Sequence, residues 1–308
     1  MPNICHLGLL FHAPVVGDEE GLFPTPGTLW RWDNWSWELP IVIPLFILII
    51  WYAIGAMRRG RQTGLGKHHL AFVAGWASLV FALMSPIHRL GDVLFSAHML
   101  QHEILVLIAA PLCAASYPGV TLLYAILRKL RQPVGSWIGK IENHKLLIVI
   151  FSPLGAFLAH AAALWLWHIP ALYEATLESD FIHALQHLSF FLSAVLFWSA
   201  LYGVGRSTMQ YGAGVLYVFG TAAHCSALGA LLTFSSVVWY PIYADRTAVW
   251  HLSPLEDQQI GGLFMWVPSG VVFIVIGIWL FARWLSASEK SLRHGVLSDV
   301  AVESEESA

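Results

Sequence analysis

The sequence predicts an all-α, polytopic membrane protein: a bundle of seven transmembrane helices with its N-terminus outside and its C-terminus in the cytoplasm. Hydrophobic residues make up 57% of the 308 residues and charged residues only 11%, whereas a soluble domain carries roughly 25% charged residues. Seven apolar stretches approach the ~20 residues that a helix needs to cross a bilayer. This composition excludes a soluble enzyme, a disordered scaffold and a nucleic-acid-binding protein, which would have a basic face.

The apolar stretches define the predicted spans and domains. The spans are residues 40–57, 68–85, 93–115, 146–167, 181–202, 214–238 and 262–285. After the third span the apolar run continues past Pro118 to the basic residues 128–131, which we interpret as a separate amphipathic helix at the membrane surface. The predicted organisation is an extracytoplasmic segment 1–39, a seven-helix domain 40–285 and a cytoplasmic tail 286–308, whose polar, acidic composition predicts disorder.

The distribution of basic residues predicts the orientation. Of the 16 Lys and Arg residues, 13 fall in the connections after spans one, three and five and at the C-terminal end, and 3 fall on the other side. Cytoplasmic segments carry an excess of Lys and Arg. We therefore expect a multi-pass protein of the bacterial plasma (inner) membrane with an extracytoplasmic N-terminus.

A repeated His-x-x-Gln-His motif carries the predicted chemistry. It comprises His98, Gln101 and His102 at the start of span three, and the matching triad 183, 186 and 187 at the start of span five. Residues at i, i+3 and i+4 share a helix face, and two imidazoles one turn apart can bind one metal ion. The glutamines, Gln101 and Gln186, are expected to hold ring nitrogens of these histidines, as outer-shell partners of metal ligands do.

Other ionisable and sulfur-containing side chains extend this predicted site. The candidates are His160, His168, His183, His187, His224, Asp257, Met99 and Met265. Ionisable groups within a membrane are costly and mark functional sites by default. Imidazole and thioether ligands favour copper, with zinc as the second choice. Each histidine also has a structural interpretation, in which it hydrogen-bonds between helices; we give that interpretation to His88, and expect Glu103 to pair with a neighbouring helix.

The ordered motifs resemble the seven-span CtaG-like assembly factors of cytochrome c oxidase. The blocks that carry the resemblance are His98-Met99-x-Gln101-His102, Trp167-His168-x-Pro170, His183-x-x-x-His187, His224 with Leu228–Ser235, and Asp257-Gln258-Gln259-x-Gly261-Gly262-x-x-Met265-Trp266. The resemblance implies a role in oxidase biogenesis, with copper delivery as its expected form. Carried over by position, it implies the ligand set His98, His102, His168, His183, His187, His224 and Asp257.

The resulting hypothesis is a non-enzymatic, copper-binding assembly factor. Its expected partners are the membrane, cytochrome c oxidase subunits and other copper chaperones, with no nucleic acid. One alternative is a haem b membrane oxidoreductase with histidines as axial ligands, and another is a metal cation transporter. An excess of histidine, 15 residues in all, fits each of these. Cys5, His6, His12 and the acidic tail receive no assigned role.

Overall fold

The computed structural model describes residues 24–60, 66–142, 144–203 and 209–306, and the regular elements within these ranges are all helices. The α-helices are α1 Leu39–Arg59, α2 Gly66–Met84, α3 Pro86–Gly91, α4 Phe95–Glu103, α5 Ala110–Ala115, α6 Pro118–Ala125, α7 Arg128–Glu142, α8 Lys145–Ile150, α9 Pro153–Trp167, α10 Pro170–Glu178, α11 Asp180–Leu201, α12 Tyr211–Thr233 and α13 Pro254–Glu306. Short 3₁₀ turns lie at Trp32–Asn34, Pro241–Tyr243 and Thr247–Trp250.

Six of these helices are long and apolar enough to cross a membrane. They are Leu39–Arg59, Gly66–Met84, Phe95–Ala115, Asp180–Leu201, Tyr211–Thr233 and Pro254–Lys290. A seventh span is formed if the bent pair α9 and α10 is counted as one. The structure thus confirms the predicted all-helical membrane bundle.

The fourth predicted span, 146–167, is broken rather than continuous. Helix α8 ends at Ile150, and Ser152 caps a new helix by accepting a hydrogen bond from the Gly155 N–H at 3.0 Å. A second break follows, because the residue before a proline disfavours helical geometry and Ile169 precedes Pro170 in an extended conformation. Helices α9 and α10 therefore meet at 76°, and His168 lies at the bend.

A π-helical segment, Ile104–Ala109, interrupts the third span between α4 and α5. Such segments often occur at functional sites and free backbone carbonyls from the regular hydrogen-bond pattern. Here Trp198 of α11 donates its indole N–H to the Val106 carbonyl at 2.8 Å. These π-helical turns follow closely after His102, the second histidine of the first motif.

Two predicted regions differ from the structure. The segment predicted to form a single surface helix up to residue 131 instead forms two helices, α6, which packs against α1, and α7, which continues to Glu142. The tail predicted to be disordered from residue 286 is helical to Glu306, because α13 continues beyond the apolar span. Cys5, His6 and His12 lie outside the described residues.

Helices α12 and α13 pack closely through two glycines. A Cβ on Gly262 would lie 2.7 Å from both the Gly229 carbonyl oxygen and the Thr233 nitrogen, and a Cβ on Gly229 would lie 2.7 Å from the Trp266 Cβ. These are backbone and rigid side-chain atoms that cannot move aside separately. By contrast, a Cβ on Gly270, also in α13, would meet nothing within 4 Å, so this glycine is not part of a close helix contact.

We expect Gly262→Ala to destabilise the protein and Gly270→Ala to leave its stability unchanged or slightly raised. Overpacking costs about 1–3 kcal/mol, whereas alanine in an open helical position is favoured over glycine. Thermal unfolding in detergent should show a lower Tm for Gly262→Ala only. Equal Tm values for the two variants would contradict the proposed close packing.

Candidate metal centre

The two His-x-x-Gln-His motifs lie on facing helices. His98 and His102 belong to α4, and His183 and His187 belong to α11. The ring centroids of His98 and His183 are 5.1 Å apart, and those of His102 and His187 are 5.2 Å apart. The first histidines of the two motifs therefore face each other, and so do the second histidines. This arrangement is expected for two repeats that run in the same direction.

Five buried histidines form one cluster, which we call the histidine cluster: His88, His98, His102, His183 and His187. Two sets of three have ligand atoms that all lie within 4.8 Å of one another. One set is His98, His102 and His187, the other is His88, His183 and His187, and His187 is common to both. None of the five side chains is more than 8% exposed.

The glutamines of the two motifs orient rings on other helices. Gln186 Oε1 lies 3.0 Å from His98 Nε2; since this oxygen only accepts, Nε2 of His98 donates and its lone pair is on Nδ1. Gln101 donates from Nε2 to the Ala82 carbonyl at 2.9 Å and to His88 Nδ1 at 2.9 Å. The two amides thus fix ring tautomers, as outer-shell partners do. Each glutamine holds a histidine of another helix and not one of its own helix.

Replacing Gln186 should weaken metal binding without removing a ligand. Loss of an outer-shell partner costs about 10–100-fold in metal affinity, and we expect Gln186→Leu to fall in that range because the His98 ring loses its fixed tautomer. Metal titration of the purified protein measures this. Gln210→Leu, at an exposed position, is the matched control, and equal affinities for the two variants would contradict the role of Gln186.

Several ring nitrogens in the cluster have no hydrogen-bond partner among the described residues. They include both nitrogens of His102, Nδ1 of His98 and Nε2 of His187. A buried polar atom without a partner costs free energy. Lone pairs that converge in this way are the arrangement that a transition-metal ion requires.

His88 is the ligand candidate that sequence reasoning missed. Ser85 and Pro86 start the short helix α3, which turns the chain back so that His88 stacks on His183 with centroids 5.2 Å apart. Its Nε2 lies 3.4 Å from Glu38 Oε1. The available signal was the parallel between His88 near Pro86 and His168 near Pro170.

Asp257, a predicted ligand, lies outside both three-histidine sets and contacts the start of α4. Its Oδ2 accepts the Phe95 N–H at 2.6 Å, and its Oδ1 accepts the Ser96 N–H at 3.1 Å and the Ser96 hydroxyl. Both oxygens are therefore used at the first turn of α4. A carboxylate satisfies the free N–H groups of a helix start, so Asp257 of α13 fixes the helix that carries His98 and His102.

His168 lies beside the cluster rather than in it. At the bend between α9 and α10, its Nδ1 donates to the Leu164 carbonyl at 2.7 Å, and its Nε2 lies 3.4 Å from Met99 Sδ. Neither set of three includes it. Met99 itself is fully buried.

The two remaining histidine candidates lie farther along the bundle. His160 donates from Nδ1 to the Ser193 hydroxyl at 3.1 Å, since that hydroxyl donates to the Phe190 carbonyl. His224 is half-buried on α12 with its ring against Phe157. The structure therefore does not bring His224 to the cluster. Met265 packs with Met99 in the adjacent apolar core.

Tyrosines of the loop 234–253 close this end of the bundle. Tyr240 donates to the His168 carbonyl at 2.9 Å, and Tyr243 donates to the Gly91 carbonyl at 2.9 Å. Tyr173 of α10 contacts the Tyr243 hydroxyl at 2.9 Å. Burial raises the pKa of Tyr243 well above its usual value, so the phenol stays a neutral donor.

The fold and the site together define a polytopic helical membrane protein with a buried polyhistidine centre. Residues 50–287 match the family model described as cytochrome c oxidase caa3 assembly factor (Caa3_CtaG). That match covers well over half of the chain, so the protein belongs to this family. The resemblance seen in the motifs is thereby confirmed.

Three mycobacterial proteins are also similar to this chain. Mb0105 of Mycobacterium bovis and MT0111 of Mycobacterium tuberculosis are each 26% identical over 267 residues, and ML1998 of Mycobacterium leprae is 24% identical over 266 residues. All three are named as uncharacterized proteins. The aligned region covers 83% of this chain but only 39–40% of each relative, so the chain spans about two fifths of their length. No solved structure matches significantly.

Proposed function

We propose that the protein binds copper at the histidine cluster and delivers it to cytochrome c oxidase during assembly. The observation that carries this proposal is the pair of overlapping three-histidine sets, buried together, in a member of an oxidase assembly factor family. Imidazole is a good ligand for copper. Zinc is the second choice, because the same ligands suit it.

The overlap of the two sets suits a cargo ion better than a permanent one. A closed structural site fixes four ligands around its metal. Here His187 is shared between the two sets, so an ion can exchange some ligands while keeping others. Such ligand exchange moves the ion without breaking covalent bonds of a substrate. We therefore propose a non-enzymatic role.

The proposed location is the extracytoplasmic side of the bacterial plasma membrane. The excess of Lys and Arg at the opposite ends of the spans supports this orientation. The motif histidines lie in the first two turns of α4 and α11, so the cluster would lie near the extracytoplasmic surface. There the protein would receive copper from other copper chaperones and meet oxidase subunits.

Complementation tests this proposal. Cells that lack the protein should assemble active oxidase, with its full copper content, when supplied with the wild type but not with the double variant His98→Ala, His183→Ala. The control is His144→Ala, an exposed residue whose side chain makes no capping hydrogen bond. Normal copper content in the oxidase of cells carrying the double variant would refute copper delivery.

The geometry does not favour the haem alternative. Neighbouring rings of the cluster lie with centroids 4.3–5.2 Å apart, which leaves no space for a macrocycle between them. The cavity beside the cluster has a volume of only about 20 Å³. A Soret band that shifts on addition of dithionite would nevertheless overturn the copper proposal in favour of haem b. Copper uptake into proteoliposomes would likewise overturn this proposal, because it would show that the protein is a transporter.

A further inference from the structure

A small cavity beside the histidine cluster is lined by methionine thioethers as well as by imidazoles. Its walls include Met99, His102, Glu103, His160, His168 and Met265. We call this space the methionine cavity. Its volume of about 20 Å³ is enough for one water-sized occupant. Most of its surface is apolar, yet two thioethers and three imidazoles face it.

The contact between His168 and Met99 indicates what the cavity would hold. The His168 Nδ1–H is donated to the Leu164 carbonyl, so the lone pair of the neutral ring is on Nε2. That atom lies 3.4 Å from Met99 Sδ, and a thioether has no proton to donate. Two electron-pair donors therefore face each other in a buried site, and no hydrogen bond can join them.

A soft metal ion fits this pair. His168 Nε2 and Met99 Sδ are 3.4 Å apart, close enough for one ion to contact both, since bonds from zinc to imidazole nitrogen and to sulfur are about 2.0–2.3 Å long. Thioether ligands select Cu(I), whereas an all-imidazole set also suits zinc and divalent copper. The two neighbouring sites thus differ in the metal ion that they prefer.

His102 connects the two sites. It belongs to one of the three-histidine sets and also lines the methionine cavity. Both of its ring nitrogens are buried and lack hydrogen-bond partners among the described residues. An imidazole has a nitrogen on either side of the ring, so this residue can face both spaces.

We propose that the methionine cavity is a second metal site, selective for Cu(I), in which His168 Nε2 and Met99 Sδ are ligands and His102 provides the link to the histidine cluster. The proposal deepens the proposed function, on which it rests for the identity of the cargo. The ion keeps its oxidation state when it moves between the sites, so the step needs no oxidant or reductant.

Titration with two probe ions tests the site in the purified full chain. Ag(I), a soft and redox-inert substitute for Cu(I), should bind at least tenfold more weakly to Met99→Leu than to the wild type, while Zn(II) binding stays unchanged. His187→Ala should show the opposite pattern. Met84→Leu is the matched control, since Met84 is buried among apolar side chains away from the cavity. Leucine and methionine are similar in volume, so the fold should tolerate both changes.

X-ray absorption of the Cu(I)-loaded protein provides a second test that does not depend on the Met99 variant. The double variant His98→Ala, His183→Ala should still show copper bound to nitrogen and sulfur. Absence of a sulfur neighbour in that variant, or Ag(I) binding that Met99→Leu leaves unchanged, would overturn the proposal. These outcomes are independent of oxidase assembly, which tests the proposed function separately.

Discussion

A single substitution, His187→Ala, is expected to remove copper binding at the histidine cluster. His187 is the one residue common to both three-histidine sets, so its loss leaves each set with two ligands. Loss of an outer-shell partner alone costs about 10–100-fold in affinity, so we expect loss of this shared ligand to exceed about a hundredfold. The Kd for Cu(II), the copper ion that suits an all-imidazole set, gives the result when it is measured by competition with a chelator of known affinity.

Thermal unfolding separates this effect from misfolding. An ion that binds only the folded protein raises its Tm, so Cu(II) should raise the Tm of the wild type and of the control His144→Ala. It should leave the Tm of His187→Ala nearly unchanged, although that variant unfolds cooperatively. Cu(II) affinity within threefold of wild type in His187→Ala would show that the histidine cluster does not bind copper.

The second large effect is expected for Asp257→Asn. This substitution should lower the stability of the protein and, as a consequence, weaken copper binding. The two carboxylate oxygens accept hydrogen bonds from two backbone N–H groups and one hydroxyl of α4. Asparagine offers one oxygen and turns an NH₂ group toward a buried donor. Because an unsatisfied buried donor costs about 1–3 kcal/mol and a lost hydrogen bond to a charged group about as much, we expect a loss of at least about 2 kcal/mol.

The matched control is Asp245→Asn, which makes the same chemical change at an exposed loop position. Denaturant unfolding should give a lower midpoint for Asp257→Asn only. Copper should bind more weakly to Asp257→Asn, yet the coordination seen by X-ray absorption should be the same as in the wild type. If the X-ray absorption spectrum of the wild type shows an oxygen atom bound to copper and that of Asp257→Asn does not, Asp257 is a ligand.

Periodic and repeated features of the sequence predicted most of what the structure shows. Apolar stretches located the spans, because a bilayer fixes the length and polarity of a helix that crosses it. The repeated motif placed His98 with His102 and His183 with His187, because helical spacing is a local property. The partners of Gln101 and Gln186 were not predictable, since they lie on other helices.

The differences arise where contacts distant in sequence or local irregularities decide the structure. Asp257 was included in the ligand set as an ionisable group of the membrane domain and through the family resemblance, whereas the groups that it contacts lie 161–162 residues away in sequence. A hydropathy average also runs through the break before Pro153, inside the predicted span 146–167, although prolines commonly start helices and Pro153 does so here. The short helix α3, which brings His88 into the cluster, lies in the connection between the predicted spans 68–85 and 93–115, where the apolar pattern says nothing about the path of the chain.

The most direct measurement of the central claim is anomalous diffraction at the copper edge from crystals grown with copper. We expect a peak within bonding distance of His187 and of two further histidines, either His98 with His102 or His88 with His183. Copper bound to the protein with no anomalous peak at any of these five rings would contradict it.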